Sequence, residues 1–150
     1  MPQNKPKTRL PLNTFTNNPA NLMPTAHSPV IPFAQHLGIE IVPSAQGTAH
    51  LRAKVGEAHT NSFGTAHGGF LNALADTALE VASNSYDVPA VALTTSMQYH
   101  KAAPIGVELA ITARETHRGR GTATYHIEIT AEASLIATFT GTVFRKQPTR

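Results

Sequence analysis

The stretch NSFGTAHGGFLNALADTALEVASNS, residues 61–85, decides the fold of this 150-residue chain. Its second part, from about Gly68 to Ser85, predicts one long helix, because alanines and leucines give it a wide apolar surface. The polar side chains within it recur every three or four residues, which predicts a single narrow stripe. They are Asn72, Asp76, Glu80 and Ser83. A helix so largely apolar must be covered over most of its surface by other elements.

The segments on both sides of this helix alternate as strands do. Residues 39–55 predict two strands with a turn, and residues 91–102, 107–118, 122–130 and 135–146 predict about four more. The glycines of Gly119–Gly121 predict a tight hairpin between two of them. One long helix and about six antiparallel strands bury their apolar faces together when a curved sheet wraps the helix. The sequence therefore predicts an α+β fold.

The first 29 residues differ from the rest. They contain six prolines and no acidic residue, so neither a helical nor a strand period survives there. We expect residues 1–29 to form a flexible Pro/Asn/Thr-rich arm and residues 30–150 to form one folded domain. The arm lacks the apolar core of a secretory signal.

Composition excludes several classes of function. The chain has no cysteine, so disulfides, thiolate metal sites and cysteine nucleophiles are absent, which suits a cytoplasmic protein. A net charge of +3 falls short of a nucleic-acid-binding signature, and no apolar run reaches the roughly 18–20 residues of a membrane span. The eight histidines lack metal-ligand spacing, so we expect neither a metal nor another cofactor.

The predicted helix also carries the residues for chemistry on a carbonyl group. Gly68 and Gly69 open it, where unpaired N–H groups and the positive end of the dipole are able to hold a developing oxyanion. Asp76 lies two turns later, although aspartate is a poor helix former and gains nothing from the dipole there. A carboxylate at this position is a candidate general base or nucleophile. The simpler alternative is that the polar stripe faces water, which we favour for Glu80.

A motif spanning the loop and the helix resembles that of the hotdog-fold acyl-CoA thioesterases of the PaaI type. The resemblance covers about residues 30–146, and the segment PFAQHLGIE is similar to the opening of that family. The motif reads N-x-x-G-T-x-H-G-G-x(6)-D and comprises Asn61, Gly64, Thr65, His67, Gly68, Gly69 and Asp76. The resemblance implies a hotdog fold, in which the long helix lies within the curved sheet.

The resemblance also implies a role for each motif residue. Asp76 matches the acid that activates water or attacks the thioester, and the Gly68 N–H matches the donor that polarises its carbonyl. Asn61 matches the loop side chain that places the thioester or the water, while His67 is expected to orient the helix start. Such sites lie between two subunits, which implies a homodimer and, by pairing of dimers, a homotetramer. A Ser or Thr that holds the water in some relatives would fall near Ala92, so this group is missing or displaced to Thr94, Thr95 or Ser96.

Coenzyme A would need cations for its phosphates. The candidates are His100, Lys101, Arg118, Arg120 and Arg145, each of which has the alternative of being an ordinary surface charge. The resemblance predicts hydrolysis of an aryl-acetyl or medium-chain acyl-CoA. Two alternatives stay open: an acyl-CoA-binding protein without turnover, and a dehydratase acting on 3-hydroxyacyl thioesters, whose usual His–acid motif the chain lacks.

Overall fold

The computed structural model describes residues 30–146; the predicted N-terminal arm, residues 1–29, lies outside the described residues. Two helices and six strands form in the described part. In chain order they are α1 (Pro32–His36), β1 (Glu40–Val42), β2 (Thr48–Lys54), α2 (Gly68–Ser83), β3 (Ala90–Tyr99), β4 (Glu108–Arg118), β5 (Thr122–Ala131) and β6 (Ser134–Arg145). A 3₁₀ turn, Glu57–His59, precedes the motif loop.

The six strands form one antiparallel sheet in the order β1-β2-β4-β5-β6-β3. Strand β3 follows α2 in the chain and joins the far edge beside β6, so the helix crosses the sheet between β2 and β3. This arrangement confirms the predicted hotdog fold. Both the strand boundaries and the β4–β5 hairpin agree with the sequence pattern to within a few residues.

The apolar side of α2 packs on the inner face of the sheet. Leu74, Ala75 and Ala78 are fully buried, and they lie in one core with the inward residues of β2, β4, β5 and β6. At Gly141 in β6 a Cβ atom would come within 2.5 Å of Leu79 Cδ2. A side chain at this position would have to displace the buried side chain of Leu79, which favours glycine here.

Strand β3 is an exposed edge in the single chain. It pairs on one side with β6, through a register shift between Ala92 and Thr94, and its other side carries no strand within residues 30–146. Val91 and Leu93 are more than half exposed on it. A ten-residue edge with apolar side chains is a surface that another strand can extend. Neither helix in residues 30–146 is long and apolar enough to span a membrane.

Candidate active site

The motif loop before α2 is organised by the side chain of Asn61. Its Oδ1 accepts hydrogen bonds from the N–H groups of Phe63 (2.9 Å) and Thr65 (3.2 Å), and its Nδ2 donates to Thr65 Oγ1 (3.1 Å). Gly64 has a φ of 75°, a left-handed conformation that glycine adopts without strain. In the single chain, both the oxygen and the nitrogen of the Asn61 amide therefore stabilise the loop. A contact of Asn61 with the thioester or the water stays a prediction.

His67 joins this loop to the helix as its N-cap. Its Nδ1 accepts a hydrogen bond from Gly69 N–H (2.8 Å), and its carbonyl oxygen accepts from Phe70 N–H (2.9 Å) and Leu71 N–H (3.1 Å). Its own N–H donates to the carbonyl oxygen of His59 (2.8 Å), whose ring stacks on Phe70 with centroids 4.0 Å apart. These contacts fix the start of α2 relative to the loop, and the catalytic role expected of His67 stays a prediction.

The Gly68 N–H is the group at the helix start that the fold leaves available. The next three N–H groups along the helix are all bonded to His67. Among the described residues no acceptor lies on Gly68 N–H, and Gly68 is partly exposed. An unbonded N–H at the positive end of a sixteen-residue helix is suited to a carbonyl oxygen that gains negative charge.

Asp76 lies on the open side of α2, two turns further on. Its side chain is exposed in the single chain, and no hydrogen bond or ion pair reaches it from the rest of the described chain. The surrounding surface still removes enough water to raise the pKa of Asp76 above its ordinary value. Burial, and secondly the charge of Asp76, raise the pKa of Glu80. A carboxylate with a raised pKa and no partner is typical of a catalytic acid or base.

The predicted polar stripe is shorter than the sequence suggested. Asn72 is partly exposed and Asp76 and Glu80 are exposed, as expected. Ser83 was wrongly placed on the stripe: it is 4 % exposed, and its hydroxyl donates to the carbonyl oxygen of Glu80 (3.3 Å). The spacing of three residues from Glu80 rotates Ser83 toward the sheet, where a bond to the helix backbone satisfies its hydroxyl.

The four predicted catalytic residues form two separate groups in one chain. His67 and Gly68 lie at the helix start, and Asn61 lies in the loop that leads into it. Asp76 lies eight residues beyond Gly68, which is roughly 12 Å along the helix axis. Donor and base must both lie within about 3 Å of their target atoms on one thioester. The Gly68 N–H and the Asp76 carboxylate of the same chain are too far apart for that.

Tyr99 belongs to the helix start as well, and sequence reasoning missed it. Its hydroxyl donates to the carbonyl oxygen of Gly68 (3.1 Å) across 31 positions of the chain. Its ring covers Gly68, where an added Cβ atom would meet the hydroxyl oxygen at 3.1 Å and Cζ at 3.2 Å. The motif spacing ends at Asp76, so only the register that brings the end of β3 beside the helix start reveals this residue.

The five candidate cations are divided between the two ends of the sheet. His100 Nε2 lies 2.8 Å from Thr138 Oγ1, and Lys101 Nζ donates to Ser134 Oγ (2.8 Å), beside Tyr99 and the helix start. The other three lie at the far end of β6. They are Arg118, Arg120 and Arg145. About nine residues of strand separate the two groups, roughly 30 Å, so they cannot hold the same phosphate in one chain.

At the far end, the contacts of Arg118 and Arg145 are with the fold itself. Arg118 makes a two-pronged ion pair with Glu115 (3.0 Å) and lies 3.4 Å above the ring of Tyr86. Arg145 donates to the carbonyl oxygen of Gly119 (2.9 Å). Arg120 is exposed at the hairpin. Within residues 30–146, no group of three or more metal-binding side chains is close enough to hold an ion.

Known thioesterases resemble this chain in both sequence and fold. Residues 63–138 match the family model described as the thioesterase superfamily. The chain is 35 % identical to the acyl-coenzyme A thioesterase PaaI of Escherichia coli over 109 residues, 72 % of this chain and 78 % of that protein. Among solved structures it resembles a variant of the phenylacetic acid degradation protein PaaI from Thermus thermophilus, with 44 % identity and a TM-score of 0.75 over 77 % of this chain and 99 % of that one. A hypothetical thioesterase from Streptococcus pneumoniae, solved with coenzyme A, is 29 % identical with a TM-score of 0.70, over 72 % of this chain and 85 % of that one.

Proposed function

The chain belongs to the thioesterase superfamily, as a PaaI-type hotdog thioester hydrolase, and we propose that its substrates are aryl-acetyl or medium-chain acyl-CoA thioesters. One observation supports the catalytic assignment above all. A single helix presents an unbonded N–H at Gly68 and an unpartnered carboxylate of raised pKa at Asp76. These are the two groups that hydrolysis of a thioester requires.

In the proposed reaction the thioester carbonyl oxygen accepts a hydrogen bond from Gly68 N–H. Asp76 takes a proton from a water molecule, whose oxygen attacks the carbonyl carbon. The tetrahedral oxyanion that forms is stabilised by the N–H and by the helix dipole, a contribution of about 2.7–4 kcal/mol for one such donor. The C–S bond then breaks, the CoA thiolate that is released takes the proton from Asp76, and the acid and CoA leave. Direct attack by the Asp76 carboxylate, followed by hydrolysis of the anhydride, uses the same groups.

A homodimer is the proposed active unit. Because Gly68 and Asp76 of one chain are roughly 12 Å apart along the helix, a second chain must supply one of them to each site. The open edge of β3 and the uncovered side of α2 are the surfaces through which two copies would meet. Two such dimers would make the proposed homotetramer. A monomeric mass by light scattering in an active sample would contradict the shared site.

The CoA portion of the substrate is proposed from its charge. His100 and Lys101 are exposed beside Tyr99 and the helix start, so they are the cations best placed for phosphate groups near Gly68. Arg118 is held by Glu115, which makes it the weakest of the five candidates. Arg120 and Arg145 would serve only if the partner subunit brings the far end of its sheet to the site. We propose a cytoplasmic location. A chain without cysteine suits this reducing compartment, where it would meet its CoA substrate.

The test compares Asp76→Asn with Glu80→Gln on a panel of acyl-CoA thioesters, with a thiol-detecting reagent that gives no background from a cysteine-free chain. Loss of the base should lower kcat by at least about 10²-fold, the scale of general base catalysis. Glu80→Gln removes the neighbouring carboxylate of the same stripe and should leave kcat within about threefold, the scale of an exposed charge.

Equal turnover by Asp76→Asn and the wild type would show that the catalytic assignment is wrong. An absence of turnover by the wild type on every acyl group, with binding of acyl-CoA retained, would replace the hydrolase by a non-catalytic acyl-CoA-binding protein. Turnover of a 3-hydroxyacyl thioester to the enoyl product would instead indicate a dehydratase.

A further inference from the structure

We propose that Tyr99 is a positioning residue for the oxyanion donor: from the end of the edge strand it fixes the glycine peptide that aims the Gly68 N–H. The proposal rests on the function proposed above and adds a residue that the motif does not contain. It is carried by two contacts of one peptide group and by the packing of the tyrosine ring on Gly68.

The peptide group between Gly68 and Gly69 is bonded at both ends. Its carbonyl oxygen accepts from the Tyr99 hydroxyl (3.1 Å) in addition to the helical bond from Asn72 N–H, and its N–H donates to His67 Nδ1 (2.8 Å). Each of these bonds polarises the peptide in the direction that strengthens the other. The two bonds come from different elements, since Tyr99 lies at the end of β3 and His67 caps α2. The orientation of this peptide is therefore set from both the sheet and the loop.

This restraint matters because of the two glycines. A glycine pair at a helix start has access to backbone conformations that other residues avoid, so the peptide planes on either side of Gly68 are not held by local sterics. The unbonded N–H of Gly68 belongs to the preceding peptide, and its direction follows the φ angle of Gly68. If this N–H is displaced from the carbonyl oxygen of the thioester, it stabilises the transition state much less. The His67 carbonyl oxygen, which accepts from two helix N–H groups, holds the preceding peptide, and Tyr99 adds a restraint on the following peptide from the sheet.

The ring of Tyr99 gives the same restraint a steric part. A Cβ atom on Gly68 would lie 3.1 Å from the hydroxyl oxygen, 3.2 Å from Cζ and 3.4 Å from Cε1. Distances this short require the ring to move. The tyrosine is 56 % exposed in the single chain, so one side of its ring packs on Gly68 while the other side faces the open edge of the sheet. A Cβ atom on residue 68 would therefore displace the Tyr99 ring by a few tenths of an ångström, which couples positions 68 and 99.

The first test removes only the hydroxyl group. Tyr99→Phe should lower kcat about fivefold, the scale of one neutral hydrogen bond, with KM changed by less than about twofold. Tyr125→Phe is the matched control, because its hydroxyl bonds Glu115 (2.7 Å) at the far end of the sheet; it should reduce stability and leave kcat unchanged. Wild-type kcat in Tyr99→Phe would overturn the proposal.

The second test couples the two residues. Gly68→Ala should lower kcat about tenfold or more in the wild-type background, the scale of a misplaced oxyanion donor. In a Tyr99→Ala background, where the ring no longer blocks the new methyl group, the same substitution should lower kcat by less than about threefold, as expected for residues in contact. An equal cost of Gly68→Ala in both backgrounds would contradict the proposed packing.

A third measurement does not depend on turnover. Hydrogen exchange of the Gly69 amide, followed by NMR, should be about fivefold faster in Tyr99→Phe than in the wild type, because the peptide has lost its bond to the sheet. Unchanged exchange would overturn the proposal even if the wild type hydrolyses no thioester. Absent turnover together with faster exchange would refute the proposed function and retain the restraint by Tyr99.

Discussion

The two ends of helix α2 are built in opposite ways. At its C-terminal end, Asn84 bonds the backbone of Ala90 twice, accepting from its N–H (2.9 Å) and donating to its carbonyl oxygen (3.0 Å). Ser85 Oγ accepts from Gly47 N–H (2.8 Å), and the ring of Tyr86 lies beneath Arg118. At its N-terminal end, two glycines open the helix and the N–H of Gly68 is left without an acceptor in the described chain.

This difference distinguishes polar groups that stabilise the fold from polar groups that serve a ligand. The polar side chains at the C-terminal end make their contacts inside the described chain, and several of these connect α2 to β3, to β4 and to the turn before β2. The N-terminal end keeps one donor unbonded, an arrangement that costs stability when water is excluded and that serves a ligand. We therefore expect substitutions at the C-terminal end to change stability and substitutions at the N-terminal end to change turnover.

The largest stability effect is expected at the C-terminal end. Asn84→Ala removes both bonds to Ala90, and at about 1 kcal/mol for each it should lower the free energy of unfolding by about 2 kcal/mol, measured by urea denaturation. Asn84→Asp keeps the acceptor for Ala90 N–H and should lose about half as much. The kcat of the folded fraction should stay at the wild-type value. A fall in kcat without a loss of stability would contradict the expectation that the C-terminal end of α2 affects only stability.

A smaller effect is expected at the N-cap. His67→Ala removes the acceptor for Gly69 N–H and should cost about 1 kcal/mol of stability, the usual value of an N-cap. Unlike Asn84→Ala, it should also lower kcat, because the peptide that follows Gly68 loses one of its bonds. His67→Asn retains a capping oxygen and should restore most of the stability. Retention of full kcat by His67→Ala in the folded protein would place His67 among the purely structural residues.

The smallest effect concerns pH and tests the roles of the two carboxylates on α2, Asp76 and Glu80. Since burial raises the pKa of Asp76, kcat/KM should fall on the acidic side of its profile as the carboxylate is protonated, at a higher pH than an ordinary aspartate would show. Removal of the Glu80 charge should move this limb toward lower pH, because a neighbouring negative charge disfavours ionisation. A pH profile unchanged between the wild type and Glu80→Gln would show that the two carboxylates do not interact.

The same shift has a consequence for stability with a definite sign. With its pKa raised in the folded chain, Asp76 binds more protons when folded than when unfolded. The free energy of unfolding therefore decreases as pH rises through the window above the ordinary aspartate pKa. Asp76→Asn, which cannot ionise, should be at least as stable as the wild type at neutral pH. Urea denaturation of the two proteins at pH 4 and pH 7 measures this difference.

Much of the fold was predictable because it depends on local pattern. The alternation of β-branched residues predicted the strands, and the apolar surface between residues 68 and 83 predicted the helix. The glycines at 119 and 121 predicted the hairpin. Ser83 was misplaced because helical spacing alone does not show where the sheet ends. The contact of Leu79 with Gly141 was not predictable, because it depends on how β6 crosses beneath the helix.

The candidate site was predictable only where it is contiguous in sequence. The motif residues Asn61, His67 and Gly68 follow one another along a short loop that leads directly into a helix, and their catalytic roles stay predictions. The sequence could not show that His100 and Lys101 lie at the opposite end of the sheet from Arg118. It also could not show that Arg118 is already paired, since this pair depends on a bulge between Glu115 and His117.

The sequence by itself determined the type of each element and the chemistry carried by one helix, because the periods of helices and strands and the preferences of glycine and aspartate act over a few residues. Tertiary structure decided which distant groups meet. Tyr99 reaches Gly68 only because β3 pairs with β6 in one register and ends beside the helix start. The physical reason is that pairing between strands is settled by burial of a whole face, and a shift of one residue would turn every side chain of β3 to the other side.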